Sequence, residues 1–582
     1  MSPVLLQRGG RRGRDGGRAR RGAWVRRALA AAAAGYLLAF AWTGRLVGQA
    51  EQAYWGGRLD EASALLRRAS FWKVRSGRVN DALAVVELTR GDTGGAAAHL
   101  AAAAKGFFHP AAFGEERVLL ALLRSGRLEA ARRYAEHRTR IHATPSLAWY
   151  LGLAEAGLGR LDEADRHLAA AAAGPQLRQK AEAERQRLSR ARSLGRLDVV
   201  VDRSGAPVAA LDLRTRSAAL LFPDLAPLLG EPLAEILRRD GGPRTARLAL
   251  DLRLQRAAEE ALGSRRGALV AVDVRTGGVL AAASQPRAAA PGGSRPEALA
   301  GRYEPGSIIK MITLEAALRH GLDVEGLFPL DCPGWILLDG VAFRDWMPHR
   351  TVRSVDEAVA VSCNIAFGRL GALLGRQRLD DALERYGFPR EGAPAGPEAG
   401  ALFVPGRLLP PDPARPAYAL ARRAVGLDSL DVTPMHAALL AAALARGGVM
   451  PPPHLVAERL NILGEPVPGG LAAKTPPAIR QDPEPGPLPA AARALLHRTM
   501  VGVVVSRSGT ARRAAVQGVE AAMKTGTSGE NPPGHDALVI GFAPASEPRV
   551  AWAVVARHAG KAEWEGARIT REFLTRAAEA LR

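Results

Sequence analysis

A serine and a lysine stand three residues apart, at Ser307 and Lys310, at the start of an apolar run. Pro305-Gly306 interrupts the chain just before them, so the pattern places Ser307 at a helix N-terminus and Lys310 one turn further along the same face. A serine hydroxyl becomes a good nucleophile only when a base takes its proton, and an amine whose pKa is lowered by burial can be that base. Backbone N–H groups at the helix start can stabilise an oxyanion.

Two further short motifs follow in the C-terminal half. Ser362-Cys363-Asn364 lies inside the helical pattern of residues 355–374, and Lys524-Thr525-Gly526-Thr527 follows an apolar stretch that predicts an edge strand. Each motif alone is common, since Ser-x-x-Lys usually marks a solvated helix face and the other two are usually caps or turns. In this order, within one region of mixed α and β pattern, the three are far more specific.

The three motifs together resemble the signature of penicillin-binding proteins and serine β-lactamases. Residues 248–582 as a whole are similar to the transpeptidase domain of penicillin-binding proteins. The similarity includes residues 268–284, 345–346 with 349, 354–374, 425–426, 432–435, 446–448, 501–510 and 536–544. The resemblance implies an α+β fold in which an antiparallel sheet is flanked by helices. The sequence departs from the family pattern at Cys363, at Met523 and at Ile308-Ile309, and none of these changes removes a reacting group.

The resemblance also implies the activity of a serine-type D-Ala-D-Ala transpeptidase. Ser307 is expected to attack the terminal bond of a peptidoglycan stem peptide and form an acyl-enzyme, while Lys310 takes its proton. Ser362 is expected to pass a proton to the departing D-alanine, which Lys524 helps to polarise. The implied substrate-binding residues are Asn364, Thr525, Gly526 and Thr527, with the N–H groups of Ser307 and Thr527 as the oxyanion hole. No metal or organic cofactor is implied, and β-lactams are expected to acylate Ser307.

The charge of the chain is unevenly distributed. The 582 residues carry a formal charge of +22, and nine arginines against one aspartate fall in residues 1–27. The remaining excess is spread thinly, without basic clusters interleaved with aromatic residues, so the composition argues against a nucleic-acid partner. The two cysteines, Cys332 and Cys363, have no CxxC or Cys/His metal spacing, and we expect small buried apolar side chains rather than a zinc site.

Residues 28–44 form an uncharged run that follows Arg26-Arg27 and ends before Arg45. Its 17 residues are near the lower limit for a membrane span. The basic tail, residues 1–27, predicts a cytoplasmic N-terminus and places the rest outside, as in a single-pass protein of a bacterial cytoplasmic membrane with a periplasmic catalytic domain. A cleaved signal peptide is the alternative, because Gly48-Gln49-Ala50 is a tolerable cleavage site.

Residues 50–197 repeat with a period of 33 to 35 residues. Gly57, Gly91, Gly126 and Gly159 are each followed five residues later by an alanine: Ala62, Ala96, Ala131 and Ala164. This period and these small residues resemble tetratricopeptide repeats, which predicts an all-α solenoid that binds a protein partner. Other parts of the cell-wall synthesis machinery are the expected partners. A generic alanine-rich helical bundle is the alternative.

Residues 198–247 predict a short β hairpin and a linker between the repeats and the catalytic region. Within residues 248–582, a helix ending near Gly263 and a hairpin around Thr276-Gly277-Gly278 precede the nucleophile, and a strand and a helix close the chain.

The leading hypothesis is a membrane-anchored D,D-transpeptidase that cross-links peptidoglycan and binds penicillin. A D,D-carboxypeptidase or a serine β-lactamase would use the same residues. From a different class, the chain is alternatively a β-lactam receptor or a scaffold that acts through its repeats. The lifetime of a penicillin adduct on Ser307 separates a transpeptidase from a β-lactamase, and a Ser307→Ala variant separates an enzyme from a scaffold.

Overall fold

A computed structural model describes residues 15–105, 111–215, 217–222, 225, 229, 245–286, 296–389, 403–427, 430–467, 486–528 and 534–581. The chain divides into two compact units. The first comprises residues 1–196, 238–244 and 461–465, and the second comprises residues 197–237, 245–460 and 466–582. The sequence predicted the first boundary near residue 197 but not the short segment Asn461–Glu465, whose Ile462 lies in the core of the first unit.

The first unit is built from helices joined by short turns. In chain order they are α1 Asp15–Trp55, α2 Leu59–Ser70, α3 Ser76–Arg90, α4 Thr93–Ala104, α5 Glu115–Arg124, α6 Leu128–Ile141, α7 Pro145–Gly157, α8 Leu161–Ala171 and α9 Arg178–Leu194. The recurring glycines have φ angles between 72° and 89° and lie in the turns of successive helix pairs, a conformation that residues with a Cβ rarely adopt. The alanines that follow them are fully buried. The 33- to 35-residue period therefore corresponds to one helix pair.

Helix α1 is longer than the apolar run suggests. Residues 23–55 are long and apolar enough to cross a membrane, and α1 is the one such helix in the described part of the chain. The predicted span of residues 28–44 does not end the helix at Arg45, because the next turns have an apolar face. Leu46, Val47 and Ala50 on that face are buried in the core of the first unit.

The second unit contains the remaining described elements. Its helices are α10 Leu252–Leu262, α11 Glu297–Ala300, α12 Lys310–Arg319, α13 Val355–Ala360, α14 Asn364–Leu374, α15 Arg376–Arg385, α16 Pro416–Ala424, α17 Pro434–Ala445, α18 Ala490–Val505 and α19 Glu565–Leu581. Its longer strands, together with β1, which begins at the unit boundary, are β1 Arg196–Val201, β2 Pro207–Asp212, β4 Thr245–Leu248, β5 Gly267–Asp273, β6 Val279–Gln285, β13 Val456–Leu460, β14 Ala522–Ser528, β15 Asp536–Ala543 and β16 Val550–Ala556. Shorter strands are β3 Ala218–Leu220, β7 Leu330–Cys332, β8 Trp335–Leu338, β9 Val341–Arg344, β10 Arg350–Val352, β11 Arg407–Leu408 and β12 Leu430–Asp431.

A five-stranded antiparallel sheet forms the centre of this unit, in the order β14-β15-β16-β5-β6. Helix α17 packs on the sheet and is buried at all twelve of its positions, as expected for a helix that is apolar all round. Helices α10 and α19 pack against each other and against the sheet. Strand β14 lies at the sheet edge, which leaves its outer side free to face the segment that carries Ser307.

The predicted hairpin and linker of residues 198–247 are part of a second sheet. Its order is β13-β4-β1-β2-β3. Strand β4 pairs in parallel with β1 and antiparallel with β13, so a strand from far along the chain completes the sheet. The predicted hairpin corresponds to the neighbouring strands β1 and β2, whereas a local sequence pattern does not reveal the long-range pairing that places them in a larger sheet.

Candidate active site

Ser307 lies in a 3₁₀ turn, Gly306–Ile309, that leads directly into α12. The turn is fixed from two sides. The backbone N–H of Gly306 donates to the carbonyl of Gly426 over 2.9 Å, and a Cβ at Gly306 would lie 2.9 Å from the carbonyl oxygen of Thr527. Ile308 and Ile309, the apolar pair that departs from the family pattern, are buried and anchor the turn in the core. Ser307 itself is half-buried. Because the turn is held by these contacts, its backbone presents the serine in a fixed position.

Lys310 is completely buried and makes three hydrogen bonds. Its Nζ donates to the backbone carbonyl of Ser362 over 2.6 Å, to Ser362 Oγ over 3.2 Å and to Asn364 Oδ1 over 2.7 Å. Burial lowers the pKa of Lys310 to about 8, although the negative charge of Asp345 acts in the opposite direction. A substantial fraction of this amine is therefore neutral near physiological pH and can accept a proton.

Lys524, on the edge strand β14, reaches the same hydroxyl. Its Nζ donates to Ser362 Oγ over 2.9 Å and to the carbonyl of Thr525 over 2.8 Å. Burial lowers the pKa of Lys524 well below its usual range, and the nearby charge of Lys310 lowers it further. The hydroxyl of Ser362 thus lies between two buried amines that repel each other when both are charged. The arrangement therefore favours a state in which only one of the two amines is positively charged over a state in which both are.

Ser362 lies at a break in the helical pattern. The sequence predicted helix through residues 355–374, but α13 ends at Ala360 and α14 begins at Asn364. Ser362 has a φ angle of 58°, which is uncommon for a residue with a side chain and is found where surrounding structure enforces it. The break turns Ser362 Oγ toward the two lysines, which a continuous helix would not do. The periodic pattern could not show this because the flanking apolar residues keep helical spacing.

The third motif lies along the nucleophile turn. A Cβ at Gly526 would be 2.6 Å from the carbonyl oxygen of Pro305 and 3.5 Å from the backbone nitrogen of Ile308, so glycine permits β14 to approach the turn. The Thr525 hydroxyl lies 2.7 Å from the hydroxyl of Thr510. The backbone N–H of Ala562 donates to Thr527 Oγ1 over 3.1 Å, and the Thr527 hydroxyl keeps its own hydrogen for a further acceptor.

Asp345 is a buried carboxylate that supports the second motif. Its Oδ2 accepts a 2.8 Å hydrogen bond from the backbone N–H of Asn364, at the start of α14, where negative charge is favourable. Burial raises its pKa, but hydrogen bonding to His349 and the charge of Lys310 outweigh this and hold the pKa below the usual range. Asp345 and Thr510 lie outside the three sequence motifs, in segments that are only generally similar to the family. The sequence therefore assigned no role to either residue.

A cluster of possible metal ligands surrounds Asp345. The ligand atoms of Cys332, Asp345, His349 and Cys363 all lie within 4.8 Å of one another. Two thiols, an imidazole and a carboxylate are the donor types that tetrahedral Zn²⁺ accepts. Both cysteines are buried, as expected for small side chains of the core. The local spacing of the sequence does not reveal that the fold brings these four residues together.

The four side chains also interact directly. Cys332 Sγ donates to Asp345 Oδ2 over 3.3 Å, and His349 Nδ1 lies 3.3 Å from the same oxygen. Cys363 caps α14, since its sulfur accepts from the backbone N–H of Ala366 over 3.4 Å. Burial and the charge of Asp345 raise the pKa of the Cys363 thiol. The cluster connects two loops to the segment that carries Ser362 and Asn364, and so positions both residues.

Residues 267–576 match the family model for the penicillin-binding protein transpeptidase domain. The chain is 30% identical over 275 residues to the peptidoglycan D,D-transpeptidase PbpA of Mycolicibacterium smegmatis, covering 45% of this chain and 51% of that protein. The chain spans about half the length of the first curated relatives it matches.

Solved structures of D,D-transpeptidase domains and penicillin-binding proteins are similar to this chain in fold. The D,D-transpeptidase domain of a peptidoglycan glycosyltransferase from Eggerthella lenta superposes with a TM-score of 0.55 at 25% identity, covering 66% of this chain and 99% of that one. Penicillin-binding protein A from M. tuberculosis, as a ceftriaxone acyl-enzyme complex, gives a TM-score of 0.52 at 23% identity, covering 66% and 98%.

Proposed function

This chain belongs to the penicillin-binding protein transpeptidase family, and we propose that it is a membrane-anchored serine D,D-transpeptidase that cross-links peptidoglycan stem peptides. One observation carries the proposal. The Ser362 hydroxyl is held between the amines of Lys310 and Lys524, and Lys310 follows Ser307 by one turn of the chain. A serine at a helix start, a buried amine of lowered pKa and a bridging hydroxyl together supply a nucleophile, a base and a route for the proton.

The first half-reaction forms the acyl-enzyme. Neutral Lys310 takes the hydroxyl proton of Ser307 as its oxygen attacks the carbonyl of the terminal D-Ala-D-Ala bond. The C–N bond then breaks, and the proton passes through Ser362 to the nitrogen of the departing D-alanine. Lys524 stabilises the Ser362 oxygen during this transfer. In the second half-reaction the amine of another stem peptide attacks the acyl carbonyl, the C–O bond to Ser307 breaks, and a proton from the amine returns to the Ser307 oxygen.

The residues around the nucleophile suit the binding of an extended peptide end. Asn364 donates from Nδ2 to the carbonyl of Arg344 over 3.0 Å, which fixes its amide near Lys310, and we assign it to a backbone amide of the stem peptide. Thr525, Gly526 and Thr527 lie on the sheet edge and are assigned to the terminal carboxylate. Backbone N–H groups of Ser307 and Thr527 are assigned to the oxyanion, as preorganised donors that gain strength away from water.

The N-terminal part is proposed to anchor and recruit. Residues 23–55 of α1 supply a helix long enough for a single membrane span, and the arginines before it favour a cytoplasmic N-terminus and a catalytic unit outside the membrane of a bacterial cell. The helix pairs of residues 50–197 are proposed to be a tetratricopeptide-like solenoid with a protein partner, because their turn glycines and buried alanines recur in register. Proximity labelling around the full-length chain tests this. Labelling no different from that of an unrelated membrane anchor would contradict it.

The enzymatic proposal is tested with a donor peptide ending in D-Ala-D-Ala, with and without an amine acceptor, using the full chain in detergent or nanodiscs. Mass spectrometry is expected to detect a cross-linked product and one released D-alanine per cross-link. A Ser307→Ala variant is the control and is expected to form neither. Release of D-alanine without any cross-link would instead indicate a carboxypeptidase.

A further inference from the structure

Helix α1 changes its surroundings along its length without a break. Its described side chains before Thr43 are exposed, apart from partly buried Ala39. From Thr43 onward one face of the helix is buried in the first unit, and Leu46 and Val47 lie on that face. The apolar segment that is long enough to cross a membrane therefore continues directly into the first helix pair. The change near Thr43 marks the level at which the helical unit begins.

The next helix runs back toward that level. Helix α2 has twelve residues, which at about 1.5 Å per residue is about 18 Å. It folds back along α1 after a short turn, so its last residues are level with the region around Thr43. Contacts of the α2–α3 loop, residues 71–75, confirm this position. The guanidinium carbon of Arg75 lies 3.6 Å from the centroid of the Phe40 ring and 3.5 Å from where a Cβ on Gly44 would be.

This α2–α3 loop presents two aromatic rings to the outside. Phe71 is 79% exposed and Trp72 is 47% exposed, and their rings meet edge to face with centroids 5.8 Å apart. Lys73 and Arg75 adopt φ angles of 51° and 53°, uncommon for residues with side chains. Val74 between them is buried, so the loop is held against the unit while the two aromatic residues face outward.

We infer that Phe71 and Trp72 insert into the interfacial layer of the lipid bilayer from which α1 emerges. The inference rests on the membrane anchoring proposed above. Tryptophan is enriched at membrane–water interfaces, where its ring contacts acyl chains and its N–H remains near the headgroups. The lipid bilayer is the partner that the position of the loop favours, because the loop touches the proposed membrane helix α1 at Phe40, two residues before the exposed Trp42. Exposed Lys73 adds a cation at headgroup level.

A second membrane contact would have a mechanical consequence for the first unit. A single helix leaves such a unit free to tilt about the point where it leaves the bilayer. Insertion of the α2–α3 loop adds a second point of attachment beside the helix and restricts that tilt. The loop therefore fixes the orientation of the first helix pair with respect to the membrane surface.

The test places a spin label at single cysteines in the full chain, reconstituted in nanodiscs of phosphatidylethanolamine and phosphatidylglycerol. Phe71→Cys and Trp72→Cys report on the loop. Leu38→Cys, on the exposed apolar part of α1, marks the hydrocarbon, and Leu194→Cys, exposed at the end of α9, marks water. The native cysteines are buried, and the unsubstituted chain measures any background labelling. Thermal unfolding of each labelled chain verifies that it is folded.

The readout compares collisions of the label with oxygen, which concentrates in lipid, and with a water-soluble nickel chelate. We expect both loop positions to show a higher oxygen-to-nickel ratio than Leu194 and a lower one than Leu38. A ratio equal to that of Leu194 would overturn the inference, as would shielding from both reagents, which indicates a protein cover. If Leu38 itself lies in water, the anchor fails and the inference fails with it, whereas an aqueous loop beside a lipid-embedded Leu38 overturns the inference alone.

Discussion

Each unit buries a cluster of charged side chains, and the two clusters are assembled on opposite principles. In the first unit Arg138 is 2% exposed and bonds to Glu115 over 2.6 Å and lies 3.8 Å from the fully buried Asp81. Asp81 Oδ2 also accepts from the backbone of Ala112 over 2.9 Å. We call these residues the structural cluster. Lys310, Lys524, Ser362 and Asn364 form the active-site cluster of the second unit, in which two amines share the hydroxyl of Ser362 and the carboxylate of Asp345 acts on Lys310 through its charge.

We propose that the structural cluster holds the fold together and that the active-site cluster performs chemistry. Buried opposite charges compensate each other, and removing one partner leaves an unpaired charge in a poorly polar environment. Burial of an amine lowers its pKa, which disfavours the folded state but adjusts Lys310 as a base to neutral pH, and the charge of Lys310 lowers the pKa of Lys524 further. We therefore expect substitutions in the structural cluster to reduce stability and substitutions in the active-site cluster to reduce reaction rate.

The largest effect is expected from Lys310→Met. It removes the base, so the rate of acylation by a fluorescent penicillin should fall by about 10²–10⁴-fold. The free energy of unfolding should change little, because the substitution also removes a buried amine that repels Lys524. Stopped-flow fluorescence measures the rate and urea denaturation the stability. Lys180→Met, at an exposed position on α9, is the matched control, and an acylation rate unchanged by Lys310→Met would contradict the assignment.

Arg138→Met is the converse experiment. It leaves the carboxylate of Asp81 buried without this cation and should lower the stability of the first unit by about 3–5 kcal/mol. The acylation rate of the protein that remains folded should be unchanged. Circular dichroism during urea denaturation reports the stability, and Arg140→Met, at an exposed position on the same helix, is the control. The comparison fails if the two arginine variants are equally stable.

A pair of glycine substitutions compares a close contact at the nucleophile turn with a close contact in the first unit. Gly526→Ala places a Cβ 2.6 Å from the carbonyl oxygen of Pro305, a backbone atom of the nucleophile turn that cannot easily move. We expect overpacking of about 1–3 kcal/mol to appear as a roughly tenfold or greater loss of acylation rate. Gly152→Ala, in the first unit, meets Leu168 Cγ at 2.8 Å and the carbonyl oxygen of Ala164 at 3.2 Å, and should affect stability alone. Equal acylation rates for the two variants would exclude the proposed fit between β14 and the turn.

The smallest effect concerns pH. Because the pKa of Lys310 is lowered to about 8 and its neutral form is the base, the acylation rate should rise about tenfold from pH 7 to pH 9 and then level off. Stability should change in the same direction. Below pH 8 the folded protein carries a penalty for charging the buried amine, and this penalty is lost between pH 8 and the ordinary lysine pKa of about 10.5. The pH–rate profile with penicillin measures the first effect, and a flat profile from pH 6 to 10 would argue against Lys310 as the base.

The sequence motifs identified side chains that the fold brings together, but not the groups that support them. The fold brings the side chains of Lys310, Ser362, Asn364 and Lys524 together, and β14 occupies a sheet edge as its pattern indicated. The residue types and their order were sufficient for this because the chemistry restricts them. The break at Ser362 was not predictable, since its neighbours have the spacing of a continuous helix and long-range contacts enforce the left-handed conformation.

The supporting groups depend on contacts between distant parts of the chain. Asp345 and the two cysteines come from separate elements of the chain, so local spacing does not predict that they lie together. Thr510 faces Thr525 because α18 and β14 pack together. In the first unit the 33- to 35-residue period predicted helix pairs, whereas the continuation of α1 past Arg45 depends on a core that the apolar run does not encode.

Peptide mass mapping of the full-length chain after reaction with benzylpenicillin tests the role of Ser307 most directly. We expect one covalent adduct with the mass of the intact drug, on the peptide that contains Ser307. The adduct should persist for minutes and be absent from a Ser307→Ala variant. An adduct on another residue, or rapid release of hydrolysed drug without an accumulating adduct, would contradict the claim that Ser307 is the nucleophile of a penicillin-sensitive transpeptidase.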